Sequence, residues 1–173
     1  MERKDHKNCT IGVVGGGQLA QMLAIAGKKM GIDVIVQTGK KSDPAVINAE
    51  DAVISDIKDI SGTKQLANLS NCVTFENEWI DVEGLSFLED SGVSFVPYLS
   101  SMLPLVNKLS QRKLLQKLNI PGPEWLSLSI FKSNDLILPK GWNFPLMAKS
   151  SIGGYDGKGT MIINDYKDLT KLH

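Results

Sequence analysis

Residues 146–161 read Leu-Met-Ala-Lys-Ser-Ser-Ile-Gly-Gly-Tyr-Asp-Gly-Lys-Gly-Thr-Met. The apolar run from Phe144 to Ala148 predicts a short buried strand that delivers Lys149, and the run from Thr160 to Ile163 predicts a second strand. The hairpin loop between them contains four glycines: Gly153, Gly154, Gly157 and Gly159. Glycine lets backbone N–H groups approach a ligand closely, and with Lys149 and Lys158 nearby such groups suit phosphate oxygens. Taken alone, glycines and lysines favour an ordinary solvent-exposed hairpin.

The whole loop sequence is more specific than its composition. Ser-Ile-Gly-Gly-Tyr-Asp-Gly-Lys-Gly after a strand lysine closely resembles the phosphate loop of the 5-(carboxyamino)imidazole ribonucleotide synthases, ATP-grasp enzymes of purine synthesis. The resemblance covers nearly all of the chain from about Thr10 onward. Members of that family are about twice as long, roughly two to three domains. We therefore expect this sequence to be the amino-terminal part of such an enzyme.

Bulk composition excludes several classes of protein. The 173 residues suffice for one domain, or for one domain and part of another. Hydrophobic residues make up 42% and charged residues 22%, as in soluble globular proteins, and 19 basic residues balance 19 acidic ones, which argues against nucleic-acid binding. Cys9 and Cys72 fit no metal spacing and are typical of reduced cytoplasmic thiols. No apolar run approaches the ~20 residues that span a membrane.

The first half of the chain has the pattern of a βαβ unit. Residues 1–9 form a polar tail. Thr10 to Val14 predicts a strand, Gln18 to Met30 a helix with one apolar face, and Asp33 to Gln37 a second strand. Gly31 is expected to end the helix. A strand, a glycine turn, a helix and a strand in this order predict two parallel strands with a right-handed crossover.

The glycine turn matches G-x-G-x-x-A through Gly15, Gly17 and Ala20. A nicotinamide cofactor is disfavoured, because the second strand ends in Gln37 and Thr38, without the acidic residue that binds ribose. Two interpretations stay open: a helix N-terminus that offers N–H groups to an anion, and a tight turn that packs the helix on the sheet. Val-Val-Gly-Gly-Gly-Gln-Leu resembles the opening of the synthase family. The resemblance implies that this loop (Gly15, Gly17, Gln18 and Leu19) faces the phosphate of the ribonucleotide substrate.

The strand predicted over Asn71 to Phe75 runs directly into Glu76-Asn77-Glu78-Trp79. Because ligands bind at the carboxyl ends of parallel strands, Glu76 is expected beside the glycine turn. Two solvated loop acids are the alternative. Thr-Phe-Glu-Asn-Glu resembles the Thr-Phe-Glu-x-Glu of the family, which implies that Glu76 and Glu78 border the aminoimidazole substrate.

The remaining elements complete the predicted organisation. The expected fold is α/β: a Rossmann-like pre-ATP-grasp domain with a parallel sheet at residues 10–105, then the incomplete start of an ATP-grasp domain at residues 106–173. The other predicted strands are Ala52–Ile54, Val93–Val96 (the last of the first domain) and Trp125–Ser129. The other predicted helices are Thr63–Leu69, Val82–Asp90, Asn107–Leu118 and one beginning at Asn164 or Asp165, with a short helical or looped connection at Ser133–Leu138.

The helix that begins near Lys108 resembles the first helix of the ATP-grasp domain. The first basic residue of that helix reaches a nucleotide phosphate, and the family usually has arginine there. Lysine keeps the charge but loses bidentate geometry. An ordinary surface lysine is the alternative interpretation.

The resemblance also implies a mechanism. The family uses Mg-ATP to phosphorylate bicarbonate, and the resulting carboxyphosphate, or the CO2 that it releases, carboxylates the amine of aminoimidazole ribonucleotide. Lys149 would contact the ATP phosphates, and Gly153, Gly154, Gly157, Lys158, Gly159 and Thr160 would form the lid over them. Tyr155, Asp156 and Lys158 would project toward the ribonucleotide, with Asp156 a candidate for proton transfer. Asp-Gly is also a common turn pair, so the alternative interpretation of Asp156 is that it only forms a turn.

The family's magnesium ligands and adenine hinge follow the hairpin, so none is expected within this chain, which we expect to be inactive alone. Three hypotheses remain. The first is part of a purine carboxylase/ligase, whose full-length members tend to dimerise. The second is a non-catalytic nucleotide-binding module or half of a split enzyme, which would regain activity with a separate carboxyl-terminal chain. The third is a Rossmann dehydrogenase domain, which a titration with NADH would reveal.

Overall fold

The computed structural model describes residues 9–130, 137–154 and 158–172. The chain divides into two compact units, with the boundary between Val106 and Asn107. They are called unit 1 and unit 2 below.

Unit 1 is built on a four-stranded sheet in which every pair of strands is parallel. The strands are β1 (Thr10–Val14), β2 (Asp33–Thr38), β3 (Asp51–Ile54) and β4 (Cys72–Phe75). Their order across the sheet is β3-β2-β1-β4. The helices are α1 (Gln18–Met30), α2 (Ile60–Asn68), α3 (Val82–Asp90) and α4 (Leu99–Met102), and a short 3-10 helix lies at Pro44–Ile47. The predicted α/β fold with a parallel sheet is confirmed.

Helices cover both faces of this sheet, which explains why its strands are continuous apolar runs. Successive residues of a strand point to opposite faces. Val13 accordingly packs with Ala20 and Ala24 of α1, whereas Val14 belongs to a second core cluster with Leu66 of α2. The small alanines let α1 lie close to the sheet.

Local signals set the ends of the helices in unit 1. Gly31 follows α1 with a left-handed φ of 71°, as predicted. Asp59 caps α2 by accepting the N–H of Ser61, at 2.9 Å. Hydrogen bonds from Ser55, and then from Ser61, lower the pKa of the Asp59 carboxyl below its ordinary value.

The described residues of unit 2 form a hairpin, two α-helices and a short 3-10 helix. Its elements are α5 (Lys108–Lys117), a 3-10 helix at Leu128–Ile130, β5 (Leu146–Lys149), β6 (Thr160–Ile163) and α6 (Tyr166–Thr170). The strands β5 and β6 are antiparallel, with Lys149 opposite Thr160, so the predicted hairpin is confirmed. The helix predicted at Asn164 or Asp165 is also present, with Asp165 as its N-cap.

The strand predicted at Val93–Val96 is not formed. Phe95 makes an isolated parallel bridge to Val73, in which the N–H of Val73 donates to Ser94 O at 2.8 Å and the N–H of Val96 donates to Val73 O at 2.9 Å. Pro97 follows immediately and has no N–H with which to extend the ladder. Pairing therefore stops after one residue.

Two predictions in unit 2 also need correction. Trp125–Ser129 is not a strand, because backbone groups of a strand need a partner and the strands of unit 2 that the structure describes pair only with each other. The strand predicted at Phe144–Ala148 lies at Leu146–Lys149 and is not buried: Met147 is 53% exposed. The connection at Ser133–Leu138 lies mostly outside the described residues.

Candidate functional site

At the carboxyl edge of the sheet in unit 1, Glu76 lies against the Gly15–Gly17 turn, as expected from the parallel strands. The N–H of Glu76 donates to Val14 O at 2.9 Å and extends the β1–β4 ladder by one residue. Its carboxylate then reaches the start of α1. Oε2 accepts the N–H of Gly17 at 2.8 Å, and Oε1 accepts the N–H groups of Leu19 and Ala20 at 3.2 and 3.3 Å.

The glycines of this turn make room for the Glu76 side chain. A Cβ atom on Gly17 would lie 2.5 Å from Oε1 of Glu76, and one on Gly15 would overlap the same side chain. Gly15 also has a φ of 136°, which side-chain-bearing residues rarely adopt. Both glycines are therefore explained by contact with the acid, before any ligand is considered.

Glu76 is also the cap of α1. The N-cap residue, Gly17, has no side chain with which to cap the helix, and the first turn contains no acidic residue. The Glu76 carboxylate supplies the acceptors for three N–H groups of this helix start and places negative charge where the helix dipole favours it. The anion at this predicted anion site is thus the protein's own carboxylate. The predicted site residues Gln18, Leu19 and Glu78 are exposed around it.

Gln37 lies near the end of β2, where dinucleotide-binding proteins have an acidic residue that binds ribose. The contacts of Gln37 give it a structural role. The Gln37 side chain is fully buried. Its amide nitrogen donates to the carbonyl oxygens of Asp56 and Asp59 at 2.7 and 3.1 Å, and its amide oxygen accepts the hydroxyl of Thr63 at 2.8 Å. Gln37 therefore ties the loop after β3 to the sheet, and its polar atoms are already used by the protein.

In unit 2, the start of α5 contacts the glycine loop. The ammonium of Lys108 lies 2.6 Å from Gly153 O and 3.5 Å from Gly154 O, and the backbone N–H of Lys108 donates to Ser151 O at 2.8 Å. The resemblance implied that Lys108 reaches a nucleotide phosphate; in the structure the partners of its ammonium are carbonyl oxygens of the loop. Lys149 is exposed at the end of β5.

Ser150 closes the base of the loop, a role that sequence analysis did not predict, since the only signal is a serine after Lys149. Its N–H donates to Gly159 O at 2.7 Å. A Cβ atom on Gly154 would lie 3.1 Å from Ser150 Oγ and 2.5 Å from the carbonyl oxygen of Lys158, and one on Gly159 would overlap Ser150 Oγ. Gly154 and Gly159 thus permit close packing within the loop itself.

Part of the predicted site lies outside the described residues, namely Tyr155, Asp156 and Gly157. Within the described ranges, no three His, Cys, Asp or Glu side chains are grouped so that they could hold a metal ion. In that same part of the chain, no helix has the length and apolar character needed to cross a membrane.

Comparisons with known proteins agree on one family. A sequence model of the ribonucleotide synthetase preATP-grasp domain matches residues 8–103. The chain is 42% identical, over 166 residues, to an N5-carboxyaminoimidazole ribonucleotide synthase from Synechocystis; the match covers 96% of this chain and 41% of the relative. It is also similar to the crystal structure of carboxyaminoimidazole ribonucleotide synthase from Aspergillus clavatus complexed with ATP, with a TM-score of 0.81 and 30% identity.

A second structure of that Aspergillus clavatus enzyme, in complex with ADP and 5-aminoimidazole ribonucleotide, has a TM-score of 0.78 and 26% identity to this chain. Both structural matches cover 95% of this chain and 43% of the solved chain. This chain therefore spans about two fifths of the length of the proteins it matches.

Proposed function

The chain belongs to the ribonucleotide synthetase preATP-grasp family, and we propose from this premise that it is the amino-terminal part of an N5-carboxyaminoimidazole ribonucleotide synthase. The proposed reaction belongs to purine biosynthesis in the cytoplasm. ATP phosphorylates bicarbonate to carboxyphosphate, with release of ADP. The carboxyl group then passes to the amine of aminoimidazole ribonucleotide, with release of phosphate.

The observation that carries this proposal is the Glu76 carboxylate, which three N–H groups at the start of α1 hold at the carboxyl edge of a parallel sheet. A carboxylate has about four acceptor positions, so one remains for a donor on a ligand. The amine of the ribonucleotide is a donor of the right kind, and a carboxylate beside it would orient it for attack. In this proposal Gly15, Gly17, Gln18, Leu19 and Glu78 line the ribonucleotide site around Glu76.

The glycine loop of unit 2 is the proposed ATP phosphate site. Lys149 contributes positive charge, and the loop residues Gly153, Gly154, Gly157, Lys158, Gly159 and Thr160 contribute backbone N–H groups and polar side chains. Tyr155, Asp156 and Lys158 are the proposed catalytic groups near the ribonucleotide. By resemblance to the family, the proposal assigns the Mg²⁺ ligands to segments that follow the hairpin, either in one longer polypeptide or in a separate chain. The proposal also includes a homodimer of the enzyme.

A chimeric enzyme tests this function. The 173 residues are joined to the carboxyl-terminal part of the Synechocystis synthase, beyond the region that this chain matches. ADP release is then measured with Mg-ATP and bicarbonate, with and without aminoimidazole ribonucleotide, and the carboxylated product is followed by NMR with ¹³C-bicarbonate. We expect ADP release that depends on the ribonucleotide, and labelled product.

The intact Synechocystis synthase is the positive control, and the 173-residue chain alone is expected to be inactive. A folded chimera that releases ADP at the same rate with and without the ribonucleotide would contradict the proposal. Turnover by the 173 residues alone would contradict the assignment of the metal ligands to other segments.

A further inference from the structure

Lys108 holds one side of the glycine loop of unit 2. Three carbonyl oxygens of the loop segment Ser151–Gly154, called the loop arm below, face the start of α5. Lys108 contacts all three, through its backbone N–H at Ser151 (2.8 Å) and through its ammonium at Gly153 (2.6 Å) and Gly154 (3.5 Å).

The position of Lys108 is itself well fixed. Asn107 caps α5, since its side-chain oxygen accepts the N–H groups of Leu109 and Ser110 at 2.9 and 3.2 Å. Lys108 is the first residue of the helix, where its N–H has no partner within the helix and is free to bond elsewhere. The half-buried side chain therefore extends from a rigid helix start toward the loop arm.

The loop arm needs such a contact because its backbone is unusually free. Gly153 and Gly154 have φ angles of 69° and 79°, and glycine has more alternative conformations than any other residue. A hydrogen bond from a charged donor is stronger than one between neutral groups. The contact with Lys108 thus selects one conformation of the arm from many.

The direction of these carbonyl groups determines the direction of the N–H groups. In a trans peptide the N–H points opposite to the C=O of the same peptide unit. When the carbonyls of Ser151 and Gly153 point at Lys108, the N–H groups of Ile152 and Gly154 point away from it. N–H groups on the side of the arm away from Lys108 are donors of the kind that bind anions.

We propose that Lys108 is a positioning residue of the phosphate loop: in the absence of nucleotide it holds the carbonyl side of the loop arm and so directs the N–H groups of Ile152 and Gly154 toward the phosphate site. It acts through the backbone of the loop. The identity of the anion as ATP rests on the proposed function, whereas the positioning itself does not.

The test uses the 173-residue chain without nucleotide, so its outcome is independent of the chimera assay. Backbone ¹⁵N order parameters and ¹³C′ shifts of the loop arm are compared among the wild type, Lys108→Met, Lys108→Arg and Lys117→Met. Lys117 is an exposed lysine at the other end of the same helix and serves as the matched control. The arm is expected to have order parameters of about 0.85 in the wild type and below about 0.6 in Lys108→Met.

In Lys108→Met the ¹³C′ shift of Gly153 should also move, because its carbonyl loses a charged donor. Lys108→Arg should restore order, since arginine keeps the charge and the N–H donors, and Lys117→Met should match the wild type. The proposal is overturned by an arm that is already mobile in the wild type, by unchanged order in Lys108→Met, or by an equal loss of order in Lys117→Met. Unchanged amide exchange within α5 excludes general unfolding as the cause of a loss.

Discussion

Replacing Glu76 by alanine is predicted to destabilise unit 1 by about 2 kcal/mol. The carboxylate accepts the N–H groups of Gly17, Leu19 and Ala20, and α1 has no other side-chain cap. Loss of a helix cap removes about 1 kcal/mol of stability, and loss of a negative charge at a helix N-terminus removes roughly 0.3–1 kcal/mol more. The rest of the loss of about 2 kcal/mol comes from the N–H groups that lose their acceptor, because water reaches them only partly at this half-buried position.

Two further variants test the charge and the acceptors of this carboxylate. Glu76→Gln removes the charge and replaces one of the two accepting oxygens by an NH2 group, which cannot accept, so we expect an intermediate loss of about 1 kcal/mol. Glu78→Ala removes an exposed acid two residues away and should lie within about 0.5 kcal/mol of the wild type. This control tests whether any loss of negative charge at this edge is sufficient.

Urea unfolding measures these differences, followed on the methyl resonances of Val13 and Val36, which are buried in the core of unit 1. Resonances from one unit avoid averaging over two units that need not unfold together. For a unit of this size, a loss of 2 kcal/mol also corresponds to a decrease in Tm of about 8–16 °C. If Glu76→Ala were as stable as Glu78→Ala, the capping argument would be refuted.

Three other substitutions test the surroundings of this site. Gln37→Glu should destabilise unit 1 by more than about 2 kcal/mol in urea unfolding, because a carboxylate at this buried position would face two backbone carbonyl oxygens that now accept an amide; wild-type stability would refute this. Gly27→Ala should lower the Tm although alanine favours helices, because its Cβ would lie 2.8 Å from Val34 Cγ2; a higher Tm would show that the two residues can separate. Asp59→Asn should be less stable than the wild type at pH 7, and the gap should close as the pH falls from about 4 through the lowered pKa of Asp59, where the stability that its ionised form contributes is lost. A gap that persists at low pH would assign the effect to shape instead of charge.

Short-range pattern and the geometry of parallel sheets predicted much of unit 1. Alternating strand and helix patterns gave the βαβ order and the bounds of α1 and α3. Because carboxyl ends of parallel strands meet at one edge, the residue after Phe75 had to lie near the residue after Val14. That argument placed Glu76 beside Gly15 without knowledge of any side-chain contact.

The errors have a common physical cause, which is that a strand depends on a partner. Val93–Val96 has the composition of a strand, but Pro97 ends its pairing with Val73 after one bridge. Trp125–Ser129 has no pairing strand among the described residues of unit 2. A sequence pattern shows only how readily one segment forms a strand. Whether a partner strand is available depends on the position of neighbouring segments in the fold.

The contacts of Glu76 and Lys108 were beyond sequence analysis for a different reason. The family resemblance implied that Glu76 borders the aminoimidazole substrate and that Lys108 reaches a nucleotide phosphate, which are interactions with ligands. In the structure both charges are bound by backbone groups of the protein, N–H groups for Glu76 and C=O groups for Lys108. Backbone donors and acceptors are the same in every sequence, so their use depends on local geometry alone.

The Glu76 contacts limit the two roles that were expected at the start of α1, namely a site for the substrate phosphate and a position for the Glu76 carboxylate. A substrate phosphate at the helix N-terminus and the Glu76 carboxylate would need the same N–H groups of Gly17, Leu19 and Ala20. Two anions on one set of donors repel each other, and only one can hold them. While Glu76 occupies these three donors, they cannot also bind a phosphate. Within the proposed function, this favours the amine of the ribonucleotide as the group beside the Glu76 carboxylate.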